Sequence, residues 1–448
     1  MFLTDNELDI ARRTVDFALR KGASQVRVTL SKSVTDLVGM LDGETDKITH
    51  ALDRSLQIAL FVDGRYGAFS TNRLEEPEIQ SFLDKAIGMV RMLAEDPCRS
   101  LPDPSRTVKN AVSGDELSLT DPYYESVTPS ERLSLAKRSS CFSRRETLEK
   151  GFKMLSEEGE YSDSISESVI IDSNGLFARQ RETSFEIGYE TTLEAGGERF
   201  SGYWWDAAPR LDDVRESILT CSEKAVQRAA AQIGPRRHKG GKMNLVVDSE
   251  CSSRLVSPIL SALGGFSLQQ KNSFLDGRIG EKVFSSKMNL MDRPFAPGRN
   301  GSRLFDSEGV ASKEMPIIEN GIVKTSFINT YIANKTGWTP TVEDPSRPVL
   351  SPVGGCRNLP EILSAMDEGI LVTGFNGGNS NSTTGAFSYG IEGFFFKGGK
   401  IVHPVREMLM TGDFIGLWNN LALAGEDSRL CMSKLIPTLA FENVDLIG

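Results

Sequence analysis

Leu8, Ala11, Val15 and Leu19 recur at the spacing of one helical face, which predicts an amphipathic helix over residues 5–20 with Asp5 as its N-cap. Alternation takes over immediately afterwards. "QVRVTL" and "SLQIALFVDGRYGAFS" read as strands, the second broken at Asp63-Gly64, a two-residue hairpin signal. Ile79, Phe82, Ala86, Val90 and Leu93 then stripe one face of a helix that ends before Pro97, and "DPCRSLPDPSRT" reads as a linker.

The same order repeats. A helix is expected from Thr128-Pro129-Ser130-Glu131 to about Glu149, then alternating strands on both sides of Asn174-Gly175, then an Ala-rich helix over 211–232. Glycines and basic residues at 234–242 mark a boundary, giving domains 1–235 and 236–448 with a sub-boundary near 97–127. In the second domain "MNLVVDS" reads as a buried strand, and Ser249 is expected to cap a helix reaching about Leu263. Asn320-Gly321 and Gly398-Gly399 join strand pairs. Phe387, Tyr389, Ile391 and Phe395 fall on one strand face, with Ser388 and Glu392 opposite. Phe414, Leu417, Trp418 and Leu421 form a last helical stripe. The expected class is α+β: an N-terminal α+β domain of helices packed on antiparallel strands, and a C-terminal domain rich in antiparallel strands.

Length agrees, since 448 residues exceed what one core usually supports. A net charge of −10 argues against a nucleic-acid surface, which needs clustered Lys and Arg; the run Arg236-Arg237-His238-Lys239 reads as a solvated loop. No apolar stretch approaches the roughly 20 residues of a membrane span, and the acidic start does not resemble a signal peptide, so a cytoplasmic location without membrane contact is expected. Six cysteines without a C-x-x-C pair suit reduced thiols. The three histidines, His50, His238 and His403, are far apart in sequence.

Candidate chemistry concentrates at Gly374–Gly385. Its glycines could bring backbone N–H groups to a phosphate, but no G-x-x-x-x-G-K-[ST] is present; a peptide-binding loop and a plain turn both remain open. G-x-S-x-G is absent, and Asp306 with Glu308 in "FDSEG" reads as a turn.

Three stretches, "DRSLQIALFVDGRYGAFSTN", "RLFDSEGVASKEMPIIENGIVKTSFINTYIANKTG" and "GFNGGNSNSTTGAFSYGIEGFFFKGGKI", resemble the TldD/PmbA family, known as gyrase modulators and as metallopeptidases. The resemblance implies peptide proteolysis or maturation by a dimer around a central channel. Its TldD type carries His-Glu-x-x-x-His on a helix plus a C-terminal cysteine as zinc ligands; the PmbA, or TldE, type lacks them. Counting back from "DGRIGEKV", the motif falls on "VSPILS": Val256 and Ser261 stand for the histidines, Ser257 for the glutamate, and Cys431 for the ligand cysteine. Valine and serine are not zinc ligands, so no catalytic residue and no metal are expected in this chain. The resemblance implies a metal-free PmbA-like subunit that heterodimerises with a zinc-bearing TldD-like partner, or homodimerises alone, and takes unfolded peptides. Asn376, Gly377, Gly378, Asn379 and Asn381 are the channel candidates; Glu392 either anchors that loop or faces the channel. Two rival readings are an autonomous hydrolase using Cys431 or a serine near His403, and a regulatory protein acting on DNA gyrase or a toxin–antitoxin pair.

Overall fold

The computed structural model describes residues 2–140 and 150–448. Thr4, not Asp5, caps the first helix, Asp5–Arg20: its hydroxyl accepts from the Glu7 N–H while the Glu7 carboxylate accepts from the Thr4 N–H, a capping box. A long meander follows: β1 (Gln25–Leu41), β2 (Glu44–Val62) and β3 (Arg65–Thr71), then the helices Glu76–Val90 and Pro129–Ser139. The expected continuation of that second helix to Glu149, and Cys141 with it, lie outside the described residues. After them come β4 (Lys153–Asp172), β5 (Phe177–Ala195), β6 (Glu198–Ala208) and the helix Leu211–Ala231. All six strands form one antiparallel sheet in the order β3-β2-β1-β4-β5-β6.

That sheet has two unlike faces. On one, Val26, Val28, Leu30, Leu56, Ile58 and Leu60 pack under the first two helices, and Phe185, Ile187 and Tyr189 pack under the helix Leu211–Ala231. Arg132 grips Asp163 with two hydrogen bonds of 2.7 and 2.9 Å, fixing the helix Pro129–Ser139 to β4. The opposite face is polar. Register sets Ser55, Ser31, Ser168 and Gln180 directly across four strands, with Asp53, Ser33, Ser166 and Glu182 in the next row on that face.

The second half starts with β7 (Gly241–Val247) and the helix Ser253–Ala262. That helix begins later than Ser249 because residues 249–252 form turns closed on Asp248. After the short helix Gly265–Gln269, β8 (Leu290–Asp292), β9 (Met315–Glu319), β10 (Ile322–Val323) and β11 (Pro348–Leu350) make a small sheet, β10-β9-β8-β11. Finally β12 (Glu368–Ser380), β13 (Ala386–Lys397), β14 (Lys400–Asp413), β15 (Leu421–Ala424) and β16 (Leu439–Ile447) join β7 in the order β14-β13-β12-β7-β16-β15, and β14 also pairs with β16, closing the sheet on itself. Its core holds Trp418, Phe414 and Phe441 with Leu255, Val256 and Ile259 of the helix Ser253–Ala262; the Trp418 indole N–H donates to Leu255 O at 3.2 Å.

One expectation about side-chain placement changes and another holds. Leu19 stands 36% exposed, beyond the face its helix buries, and Leu93, past the end of the helix Glu76–Val90, is 48% exposed. On β13, Phe394 and Phe396 fall on the face opposite Phe387, Tyr389 and Ile391 and enter a separate buried cluster. Phe395 keeps to the Phe387–Tyr389–Ile391 side, half-buried against the same core and stacked on His238, ring centroids 4.4 Å apart.

Candidate functional site

The polar face of the first sheet floors a groove roofed by the second half of the chain. Three concavities of about 410, 620 and 410 Å3 share Gln180, and they share Ser31, Ser168, Glu182 or Arg303 in pairs, so they run into one another. Alternation builds the floor. In "SDSISESV", Ser162, Ser164, Ser166 and Ser168 point one way while Asp163, Ile165, Glu167 and Val169 are buried on the other.

The roof is braced rather than loose. Asp306, 2% exposed, accepts from the Glu308 and Val310 N–H groups through Oδ1 and from the Glu343 N–H through Oδ2. Burial pushes its carboxyl up to about 6; the backbone hydrogen bonds oppose that shift, and nearby Glu308 and Glu343 reinforce it. Glu308 turns away to accept from the Thr330 N–H and hydroxyl at 2.9 and 2.8 Å, so the expected "DSEG" turn is also a clamp between loops. Arg303 holds the Asp344 carboxylate and the Ser346 hydroxyl at 2.7 and 2.6 Å.

The widest part of the groove, the concavity of about 620 Å3, is lined by Glu182 and Gln180 from below and by Ser257, Leu260, Ser261, Ser433 and Lys434 from above. Glu182 is accessible yet recessed between the walls; burial lifts its carboxyl above the ordinary range, against hydrogen bonds from Gln180 and Ser166.

The four residues singled out by the resemblance part company here. Ser257 and Ser261 share the groove face of the helix Ser253–Ala262, whereas Val256 has 0% exposure in the core behind it. The Ser257 hydroxyl donates back to Ser253 O at 3.0 Å, and Pro258 removes one backbone donor from the next turn. Cys431 does not reach the groove lining. It is 8% exposed beside Asp206, its carbonyl accepts from Asn300 at 2.9 Å, and burial pushes its thiol up to about 11. Such a thiol is a poor nucleophile. Serine hydroxyls and an aliphatic side chain do not fit a zinc ion, and among the described residues no three His, Cys, Asp or Glu side chains converge as a ligand set.

The channel candidates occupy a second surface. The segment expected as a loop is mostly strand: Gly374–Ser380 belong to β12, and only residues 381–385 turn. Asn381 Oδ1 accepts from the Thr383 and Thr384 N–H groups, so this side chain shapes the turn. Gly378 has φ +105°, and a Cβ there would meet Ser388 O at 2.1 Å, which explains its lack of a side chain. β12 pairs with β7 only over Ile370–Val372, leaving Gly374–Ser380 with a strand partner on the β13 side alone among the described residues. Asn376, Gly377, Gly378 and Asn379 lie exposed along that free edge, and Glu392 is exposed opposite Gly374. None of these residues lines the groove. His403, the base of the rival hydrolase reading, has its Nδ1 3.0 Å from Pro404 O and its ring beside Phe395 and His238.

Residues 240–448 match the family model described as the PmbA/TldA metallopeptidase C-terminal domain, and residues 122–233 match its central domain. A crystal structure from Bacteroides thetaiotaomicron, described as a candidate modulator of DNA gyrase, superposes with a TM-score of 0.94 at 38% identity, covering 99% of both chains. The chain belongs to the PmbA/TldD family. The metalloprotease PmbA of Escherichia coli O157:H7 is 24% identical over 418 residues, 92% of this chain and 91% of that one. TldE from Thermococcus kodakarensis shares the fold, with a TM-score of 0.83 at 20% identity over 98% of this chain and all of that one. Among the described residues, no helix of this PmbA/TldD chain is long and apolar enough to cross a membrane.

Proposed function

We propose that this chain is the metal-free, PmbA-like subunit of a cytoplasmic metallopeptidase that degrades or matures unfolded peptides, with zinc held by a TldD-like partner. One observation carries the reading: the helix face turned to the groove presents Ser257, Leu260 and Ser261, and the cysteine expected beside it is buried elsewhere. The groove and strand edge offer binding groups instead. A polar floor of serine, glutamine and glutamate can hydrogen-bond a solvated chain, and the unpaired edge at Gly374–Ser380 can add an extended peptide as a further strand. Main-chain pairing recognises unfolded substrate without demanding a sequence.

Co-expression with a paralogue carrying His-Glu-x-x-x-His tests this. The two chains are expected to co-purify and to cleave an unfolded peptide, while this chain alone leaves it intact. Chelator-resistant cleavage by the isolated chain, or failure to associate with any such paralogue, would overturn the reading.

A further inference from the structure

Among the described residues two arginines are buried, and only one of them is paired. Arg179, 6% exposed, is held by Glu167, as the half-buried Arg132 is by Asp163. Arg347 is equally buried, at 7% exposed, yet its Nε is sealed from solvent without an acceptor. Among the described residues no hydrogen bond or ion pair involves its guanidinium. Burying a charge without a partner is costly.

Its surroundings add positive charge. Arg293 donates its backbone N–H to Arg347 O at 3.0 Å, and the charges of Arg299 and Arg293 join burial in lowering the Arg347 pKa. The exposed Arg293 has no ion pair among the described residues; Arg299 has one at 3.8 Å, to Asp213. The loop that carries Arg299 is rigidly seated: Asn300 donates to Ala207 O and Cys431 O, and the buried Ser302 hydroxyl donates to Ala296 O at 2.7 Å. In a chain of net charge −10, these three arginines make a local excess of positive charge.

We propose that Arg347, with Arg293 and Arg299, binds a small oxoanion, the carboxylate or phosphate group of a ligand. A guanidinium fork matches either group with two parallel hydrogen bonds. Ser346 and Pro348, the residues on either side of Arg347, line the groove, whereas Arg347 itself is not part of that lining. The anion site stands without the peptide reading. Its assignment to a peptide C-terminus rests on that reading.

Calorimetry and thermal unfolding of the full-length chain test it, with inorganic phosphate titrated at constant ionic strength against chloride. Phosphate is expected to bind saturably and raise the melting temperature by about 2–4 °C. Arg347→Met removes the buried charge while filling its space, so it is expected to fold at least as well as the parent and to lose at least about tenfold in phosphate affinity. Arg293→Met and Arg299→Met, at more open positions, are expected to weaken binding without loss of stability, and they decide the matter if Arg347→Met does not fold. A short peptide that competes with phosphate as the free acid but not as the amide assigns the anion to a chain terminus; phosphate binding without such competition assigns it to a phosphoryl-bearing ligand. Absence of saturable phosphate binding, or equal affinity in the arginine variants, would sink the proposal.

Discussion

Ser257 and Ser261 stand one turn apart on the helix Ser253–Ala262 and face the same groove, while Val256, adjacent in sequence, is sealed in the core. Restoring a histidine at the position that counting assigns, Val256→His, therefore buries an imidazole among Leu255, Ile259 and Trp418 instead of presenting it to a metal. The expected result is a loss of about 2–4 kcal/mol in urea-induced unfolding, from overpacking and an unsatisfied polar group. A variant of unchanged stability that binds zinc would show that this face of the helix is not fixed.

The Cys431 thiol is expected to be slow toward alkylating agents. With its pKa raised to about 11, its thiolate fraction near neutral pH falls about 100-fold below that of an ordinary thiol, before burial is counted. Mass spectrometry of the native protein after brief iodoacetamide treatment reads this directly. Rapid labelling at Cys431, faster than at the half-buried Cys98 and Cys356, would reopen its use as a nucleophile.

Asp306 gives a pH signature of definite sign. Its folded pKa of about 6 lies above the unfolded value near 3.8, so the folded state favours the protonated acid. Its stabilising contribution is full below about pH 3.8 and is lost as pH rises through 6, a change of about 3 kcal/mol. Asp306→Asn abolishes this titration. The stability difference between parent and variant should therefore shift against the parent between about pH 4 and pH 7; a constant difference, or one that moves in the parent's favour, contradicts the burial argument.

Much of the architecture was legible because its signals are local. Asp63-Gly64, Asn174-Gly175, Asn320-Gly321 and Gly398-Gly399 all turn between strands, since each supplies the positive φ that such turns need. The Gly374–Gly385 segment misled for the opposite reason. Glycine carries no side chain to alternate, so a strand held by pairing with β13 resembles a loop in sequence. The groove floor was written in the alternating serines of β4, but its meaning depends on which face the helices cover. Which side of the helix Ser253–Ala262 faces the groove, and that the Arg347 Nε has no acceptor among the described residues, are set by segments far apart in the chain.

Gly378→Ala should separate edge integrity from global stability. A Cβ there collides with Ser388 O, in a backbone conformation that side chains disfavour, so the outer part of the β12–β13 hairpin is expected to loosen. Hydrogen exchange should quicken over residues 374–390, while the helix Ser253–Ala262 keeps its protection and peptide binding falls. Unchanged peptide affinity would remove the free strand edge from the binding surface.

Zinc content tests the central claim most directly. Metal analysis of this chain alone should find essentially no zinc, and the complex with a His-Glu-x-x-x-His paralogue should hold about one zinc per pair, lost when the paralogue's histidines are replaced. About one tightly held zinc per chain in the isolated protein, retained after dialysis against a chelator, would contradict the account.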